Sequence, residues 1–174
     1  MDTPAAARPA APPLNVVLVS PEIPPNTGNI GRLCVAAGAT LHLVKPLGFQ
    51  LDDRSLARAG LDYWQHLNWH LWESLADLQT TALSTPPPPG QRLPQFFFLT
   101  TKSTRPYWSQ HFQPGDYLVF GRETKGLPAS LLAQHPDQCL TIPMEPAARS
   151  LNLATSVGIV LYEAMRQNTA PPAP

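Results

Sequence analysis

Three polar stretches of the chain contain the side chains best suited to chemistry. The first, PEIPPNTGNIGR at residues 21–32, follows the apolar run LNVVLVS. The second is FGRETKGLP at residues 120–128, and the third is IPMEPAARSLN at residues 142–152. Arginine, asparagine, serine and glutamate in such loops can bind phosphate, orient a hydroxyl group or move a proton. The first stretch has two glycines, but it lacks the GxGxxG pattern of dinucleotide-binding turns.

Short apolar runs alternate with amphipathic segments, and they predict the elements that position these stretches. Strands are predicted over residues 15–20, 40–45, 68–72, 96–100, 116–120 and 139–143. Helices are predicted over residues 28–37, 53–59, 73–81, 128–134 and 151–167. This alternation indicates an α/β fold, a mainly parallel sheet with helices on both faces. Because ligands bind beyond the carboxyl ends of strands in such sheets, we expect the three polar stretches to lie together at that edge.

The first stretch has two interpretations at the level of local structure. Asn26 or Thr27 is predicted to cap the first helix, which places Arg32 about one turn inside it. The alternative is a rigid connection in which proline presets φ and asparagine and glycine supply unusual dihedrals. Gly38 is expected to close this helix.

Length and composition limit the possible classes of protein. The 174 residues are enough for one domain with a proper core and too few for two. Twelve lysines and arginines balance twelve aspartates and glutamates, so the formal net charge is zero. This balance argues against binding of nucleic acid by bulk electrostatics, although a local basic face is compatible with it.

No feature of the sequence indicates a metal site, a disulfide or a membrane span. Cys34 and Cys139 lack metal-ligand spacing and are expected to be reduced, as in a cytoplasmic protein. His66 and His70 have the spacing of helical zinc ligands without a third ligand, so packing or a place in a strand is the favoured interpretation. No apolar run approaches the length of a membrane-spanning helix.

The 22 prolines mark the organisation of the chain. Residues 1–13 are predicted to be a disordered Ala/Pro-rich tail, and residues 168–174 a second disordered tail. Residues 14–167 are predicted to form a single domain. STPPPPGQRLP at residues 84–94 is interpreted as a surface loop or insertion, because the segments on either side are thin cores for independent domains.

Together the motifs resemble those of the SPOUT class of RNA methyltransferases, specifically the small branch that methylates the ribose 2'-hydroxyl of tRNA nucleotide 34. The resemblance extends over about residues 14–167. It rests on EIPPNTGNIGRLC, FGRETKGLP and IPMEPAARSLNLATSVGIVLYEA in the family's order, with LGF, RAGLDYW and LTTKST between them.

The resemblance implies a SPOUT fold with a deep trefoil knot near the carboxyl end, and S-adenosylmethionine as the cofactor. By family analogy, the residues that contact this cofactor are Leu99, Gly121, Ile142 and Ser150. Glycine at positions 121 and 126 suits the tight backbone approach that a knot requires. Leu99 and Ile142 are also expected to pack in the core.

The resemblance also implies the catalytic residues, which are Arg32, Asn26, Glu123, Ser150 and Asn152. A guanidinium stays protonated, so Arg32 is expected to clamp phosphate and hydroxyl, with a substrate phosphate as a possible proton acceptor. The other residues would orient Arg32, the cofactor or the nucleoside. Several structural alternatives remain open: Arg32 as a solvated helix residue, Glu123 paired only with Arg122 or Lys125, Ser150 as a helix cap and Asn152 in the first turn.

The expected partners are a tRNA anticodon stem-loop and a second copy of the chain, joined through the knotted region. The candidate RNA-binding cations are Lys102, Arg105, Arg122, Lys125 and Arg149. A homodimer would combine two small basic faces, which reconciles the zero net charge with an RNA substrate. Two alternatives are methylation of another RNA site, and binding of S-adenosylmethionine without catalysis.

Overall fold

Six parallel strands form one sheet in the computed structural model, which describes residues 13–51, 61–87 and 89–169. The strands are β1 Asn15–Val19, β2 Thr40–Val44, β3 Trp69–Trp72, β4 Phe96–Leu99, β5 Tyr117–Phe120 and β6 Cys139–Leu140. Their order across the sheet is β3-β2-β1-β5-β4-β6, and every strand pairing is parallel. The predicted parallel sheet is therefore confirmed.

Helices cover both faces of the sheet, as the sequence predicts. They are α1 Pro24–Ala37, α2 Leu75–Ser84, α3 Ala129–Gln134 and α4 Leu153–Asn168. The described residues also form three 3₁₀ helices, Leu61–His66, Tyr107–Ser109 and Pro136–Gln138. The predicted helix over residues 53–59 lies outside the described residues. None of the described helices is long and apolar enough to cross a membrane.

Alternate residues of the strands enter two separate cores. Val16 and Leu18 of β1 pack in the core that includes α1 and α4, whereas Val17 packs in the core that includes Leu78 of α2. All three valine and leucine side chains are fully buried. Burial on both faces explains why β1 is a continuous apolar run without polar alternation.

The first helix begins earlier than predicted, at Pro24 rather than at residue 28. Proline is well suited to the first helical positions because its missing N–H has no partner there in any case. Ile23 is the N-cap residue and makes no side-chain capping bond, so the prediction of Asn26 or Thr27 as the cap is wrong. Arg32 consequently lies about two turns inside α1. Gly38 closes the helix with φ of 64°, as expected.

Two other boundaries also differ from the sequence prediction. Strand β6 ends at Leu140, because Thr141 exchanges backbone hydrogen bonds with Arg105 and Tyr107 instead of continuing the sheet. Helix α4 starts at Leu153, two residues later than predicted, because Asn152 caps it. The first departure depends on a backbone segment distant in sequence, and the second on a side chain that binds backbone N–H groups just after it. The apolar patterns of the sequence reveal neither contact.

A buried imidazole, His42 in β2, joins three strands on the face that carries α2. It is 4% exposed, and its Nε2 lies 3.0 Å from Asn15 Oδ1. The indole N–H of Trp72 donates to Nδ1 over 3.0 Å. This donor requires a lone pair on Nδ1, so Nε2 carries the proton and the ring is neutral. Burial, and secondarily the charge of His70, lowers the pKa of His42 from 6.5 to about 4.

The two histidines that were considered as zinc ligands do not share a helix. His70 belongs to β3, which confirms the interpretation of strand placement, and His66 ends a 3₁₀ helix. Among the described residues, no group of histidine, cysteine, aspartate and glutamate side chains is arranged to hold a metal ion.

We expect the free energy of unfolding to decrease as the pH falls from 6.5 to 4, because the folded state disfavours protonation of His42. The contribution is present above pH 6.5, and about 2–3 kcal/mol is lost across this window. Urea unfolding of the wild type and of His42→Gln at pH 7 and pH 4.5 would measure it. The exposed His111→Gln variant serves as the control. Equal pH dependence of His42→Gln and the wild type would contradict this assignment.

Candidate active site

A cavity of about 590 Å³ opens beyond the carboxyl ends of β4, β5 and β6, at the edge that the sequence predicts. Its walls come from the loops after these strands and from the starts of α1 and α4. All four predicted cofactor residues line it, as do four of the five predicted catalytic residues. These seven residues are Asn26, Leu99, Gly121, Glu123, Ile142, Ser150 and Asn152.

The carboxylate of Glu123, in the loop after β5, binds the start of α1. It accepts hydrogen bonds from the backbone N–H groups of Glu22 (2.8 Å) and Ile23 (3.1 Å) and from Asn26 Nδ2 (3.1 Å). The carboxylate therefore satisfies donors next to a helix that has no side-chain cap of its own. Arg122 pairs with Glu22, with 3.9 Å between Arg122 Nη1 and Glu22 Oε1, so the alternative of a simple Glu123–Arg122 pair is wrong.

The side chain of Asn26 connects Glu123 to the start of α4. Its Nδ2 donates to the carboxylate, and its Oδ1 accepts from Asn152 Nδ2 over 2.9 Å. Asn152 Oδ1 in turn accepts from the backbone N–H groups of Ala154 (2.9 Å) and Thr155 (3.2 Å). Asn152 is thus the N-cap of α4, which corrects the alternatives that gave this place to Ser150 and the first turn to Asn152. We call Glu123, Asn26 and Asn152 the amide bridge.

Glu22 and Thr124 add a second connection between the same two loops. The Glu22 carboxylate accepts from the hydroxyl (2.7 Å) and the backbone N–H (3.1 Å) of Thr124. The hydroxyl hydrogen bond is the main cause of the lowered pKa of Glu22; the backbone bond and the charges of Arg122 and Lys125 act in the same direction, and burial opposes them. Each loop therefore supplies a carboxylate that binds donors of the other. Neither Glu22 nor Thr124 was identified from the sequence.

The loop after β5 can turn back on itself only because it contains two glycines. A Cβ on Gly121 would lie 2.1 Å from the carbonyl carbon of Gly126, a contact that no side chain can make. Gly126 adopts a φ of 65° and donates its N–H to Arg122 O over 2.9 Å. Gly121 thus provides the close backbone approach that the sequence predicts. The threading of the knot itself stays a prediction.

The five predicted RNA-binding cations do not form one group. Lys102, Arg122, Lys125 and Arg149 line the cavity. Arg105 is half-buried, and its guanidinium donates to Asp137 O and to Gln110 Oε1, each over 2.6 Å. These bonds attach it to neighbouring loops, so we associate Arg105 with local structure rather than with the cavity.

The remaining predicted catalytic residue, Arg32, lies outside the residues that line the cavity. It is on the exposed side of α1, together with Pro25, Asn29 and Ala36. Its Cζ atom lies 4.7 Å from the centre of the Tyr63 ring, the geometry of a cation–π contact. Helix α1 therefore carries Asn26 at the cavity and Arg32 on its exposed side.

Replacing Asn26 with alanine should lower the free energy of unfolding by about 1–3 kcal/mol, because it leaves a donor and an acceptor of the amide bridge without their partner. Replacing Asn152 with alanine should lower the free energy of unfolding by about 1 kcal/mol, because α4 loses its N-cap. Urea unfolding of both single variants and the double variant should show less than the sum of the two losses, since one hydrogen bond is shared.

The matched control for these variants is Asn29→Ala, an exposed position on the same helix, which should change the free energy of unfolding by less than about 0.5 kcal/mol. A loss at Asn26 no greater than that at Asn29, or full additivity with Asn152, would contradict the amide bridge.

Comparison with known proteins places these features in one family. Residues 13–162 match the SpoU rRNA Methylase family. The tRNA (cytidine(34)-2'-O)-methyltransferase of Escherichia coli strain K12 is 47% identical over 158 residues, which cover 88% of this chain and 93% of the relative. The corresponding protein of Burkholderia ambifaria is 46% identical over 154 residues, 88% of this chain and 94% of the relative.

Solved structures show the same fold. One, described as giving structural insights into the 2-OH methylation of C/U34 on tRNA, has a TM-score of 0.79 at 42% identity and covers 89% of this chain and 95% of that one. The SpoU methyltransferase AviRb from Streptomyces viridochromogenes in complex with AdoMet has a TM-score of 0.76 at 25% identity, over 91% of this chain and 59% of that one. The parallel sheet, the cavity at its carboxyl edge and the matching sequence over most of the chain lead to one conclusion: this protein belongs to the SpoU methylase family.

Proposed function

We propose that this protein transfers a methyl group from S-adenosylmethionine to the ribose 2'-hydroxyl of nucleotide 34, the wobble nucleotide of tRNA. This nucleotide is C or a nucleotide derived from U. The observation that carries the proposal is the amide bridge, which joins the three predicted motifs around one cavity. Relatives that share 45–48% of their residues with most of this chain are named for this reaction. A tRNA substrate also implies a cytoplasmic enzyme.

The cavity fits the cofactor that the family implies. Its volume lies within the range of small-molecule sites, about 300–1,000 Å³. Leu99, Leu127 and Ile142 offer an apolar wall for a flat base. The amino end of the 16-residue helix α4, with Arg149 nearby in sequence, suits a carboxylate. When bound, S-adenosylmethionine supplies a methyl group on a positively charged sulfur.

We assign the amide bridge to positioning rather than to proton transfer. The polar atoms of Asn26, Glu123 and Asn152 hydrogen-bond to each other and to backbone N–H groups, so they fix the loops of the cavity. Holding reacting groups in a fixed arrangement is itself a large part of catalysis. Ser150, which is exposed at the wall of the cavity, is the polar side chain that we assign to orienting the cofactor or the nucleoside.

Arg32 is the side chain that we assign to the RNA. A guanidinium has N–H donors and no acceptor, so Arg32 acts as a donor that holds a phosphate and the 2'-hydroxyl in place. The substrate phosphate is then the group that we assign to accepting the hydroxyl proton. Lys102, Arg122, Lys125 and Arg149 surround the cavity and supply further phosphate contacts.

The position of Arg32 supports a site that is completed by a second copy of the chain. Arg32 does not line the cavity of its own chain, although Asn26 of the same helix does. In a homodimer, Arg32 of one copy would serve the cavity of the other. This arrangement also combines two sets of cations, which reconciles the zero net charge with a tRNA substrate.

Methyl transfer from labelled S-adenosylmethionine to unmodified and cell-derived tRNA, followed by nuclease mapping, tests the function. We expect the label on the ribose of nucleotide 34. A label at another RNA position would support ribose methylation but contradict nucleotide 34 as its target. Binding of the cofactor without transfer to any RNA would contradict the proposed enzyme and favour a sensor of S-adenosylmethionine.

Arg32→Ala should reduce the rate of methyl transfer by about two orders of magnitude without loss of folding, as expected for a group that contacts the reacting hydroxyl.

A Ser150→Trp variant should be inactive, because the indole fills the cavity. If sites are shared between copies, an equal mixture of the two variants should recover about a quarter of the wild-type rate, since half of the dimers are mixed and each has one complete site. A mixture that exchanges subunits and stays inactive would contradict the shared site.

A further inference from the structure

The RAGLDYW motif at residues 58–64 is part of the family resemblance, but the proposed function assigns no role to it. Residues 58–60 lie outside the described part of the chain. The last two residues, Tyr63 and Trp64, belong to the 3₁₀ helix Leu61–His66. Their side chains face α1, the helix that carries Asn26 and Arg32.

Trp64 and Leu67 fix the distance between this 3₁₀ helix and α1. A Cβ on Gly31 would lie 3.2 Å from a methyl group of Leu67 and 3.3 Å from the indole of Trp64. A side chain at position 31 would therefore require Leu67 and Trp64 to shift by a few tenths of an ångström. Trp64 also contacts Trp69 of β3, with ring centres 5.1 Å apart, and both indoles pack against the core. The 3₁₀ helix is thus packed against α1, β3 and the core.

The residue before Trp64 uses this close packing to reach Arg32. The Tyr63 ring lies under the guanidinium, 4.7 Å from Cζ to the ring centre, and Tyr63 is 40% exposed. A cation over the face of an aromatic ring is attracted by the negative face of the ring. This contact therefore restricts the position of the Arg32 guanidinium without a hydrogen bond between the two side chains.

We propose that Tyr63 is a positioning residue that holds the guanidinium of Arg32 for contact with the RNA. This inference rests on the role of Arg32 in the proposed function. Arginine is a long, flexible side chain that loses rotamer freedom when it binds. Tyr63 removes part of that freedom in advance, because it is attached to a segment that Trp64 and Leu67 anchor to α1.

Two substitutions separate the cation–π contact from apolar packing. Tyr63→Phe keeps the aromatic face and should keep the wild-type rate. Tyr63→Leu keeps apolar contact but has no aromatic face, and it should lower kcat by about two- to five-fold, the range that corresponds to an exposed cation–π contact. The KM values for S-adenosylmethionine and tRNA should not change. A Tyr63→Leu variant with wild-type kcat, or a Tyr63→Phe variant as slow as Tyr63→Leu, would overturn the proposal.

An Arg32→Ala background distinguishes positioning from direct contact of Tyr63 with an RNA base. If Tyr63 acts through Arg32, Tyr63→Leu should cause no further loss in single-turnover methyl transfer when Arg32 is already alanine. A base contact would instead raise the KM for tRNA in the wild-type background and give the same loss in both backgrounds. Either of these results would overturn the positioning role.

A measurement independent of activity tests the contact itself. The Nε–H group of Arg32, assigned by its disappearance in Arg32→Lys, should show a lower NMR order parameter in Tyr63→Leu than in the wild type or in Tyr63→Phe. Unchanged order would overturn the proposal. Because this readout needs neither tRNA nor methyl transfer, failure of the proposed function and failure of the Tyr63 contact are distinguishable.

Discussion

The amide of Asn26 has one donor bond to Glu123 and one acceptor bond from Asn152, and the shape of the cavity depends on both. Each partner also holds backbone groups: Glu123 binds the N–H groups that precede α1, and Asn152 caps α4. Asn26 is 7% exposed, so loss of one bond would leave a buried polar group without its partner. Three loops that belong to different strands consequently share one network of hydrogen bonds.

This network is possible because all six strands are parallel. The loops after β1, β5 and β6 leave the sheet at the same edge, and β1 is paired directly with β5. Gly121 then allows the loop after β5 to turn back tightly enough for Glu123 to reach the start of α1. The sheet supplies the shared edge, the glycine supplies the close approach, and the polar side chains connect the loops.

The apolar runs were sufficient to predict the strands and the edge at which the site forms, because burial on both faces leaves a direct signal in the sequence. The start of α1 was not predicted, since Pro24 and Pro25 have the appearance of a rigid turn and the groups that bind the helix start come from Glu123, about a hundred residues away in the chain. The roles of Glu22 and Thr124 were missed for the same reason, because nothing local shows that β1 and β5 are neighbours.

The cation assignments also show what residue type alone can predict. Lys102, Arg122, Lys125 and Arg149 line the cavity, and their contact with RNA stays a prediction. Residue type could not distinguish Arg105, whose partners are a backbone carbonyl and an amide on neighbouring loops, nor the orientation of Arg32 away from the cavity. Both depend on the directions of side chains, which follow from tertiary packing.

The hydrogen bonds that define the cavity join residues far apart in sequence: Glu123 to Glu22, 101 residues apart, and Asn152 to Asn26, 126 residues apart. Contacts of such separation form late in folding, after the loop-closure entropy of the intervening chain has been overcome. During synthesis on the ribosome, the start of α1 therefore cannot bind Glu123 and Asn152 until most of the polypeptide has emerged. A chain truncated before α4 would have the opening motif but no cavity, so methyl transfer activity reports on a chain that has folded through α4.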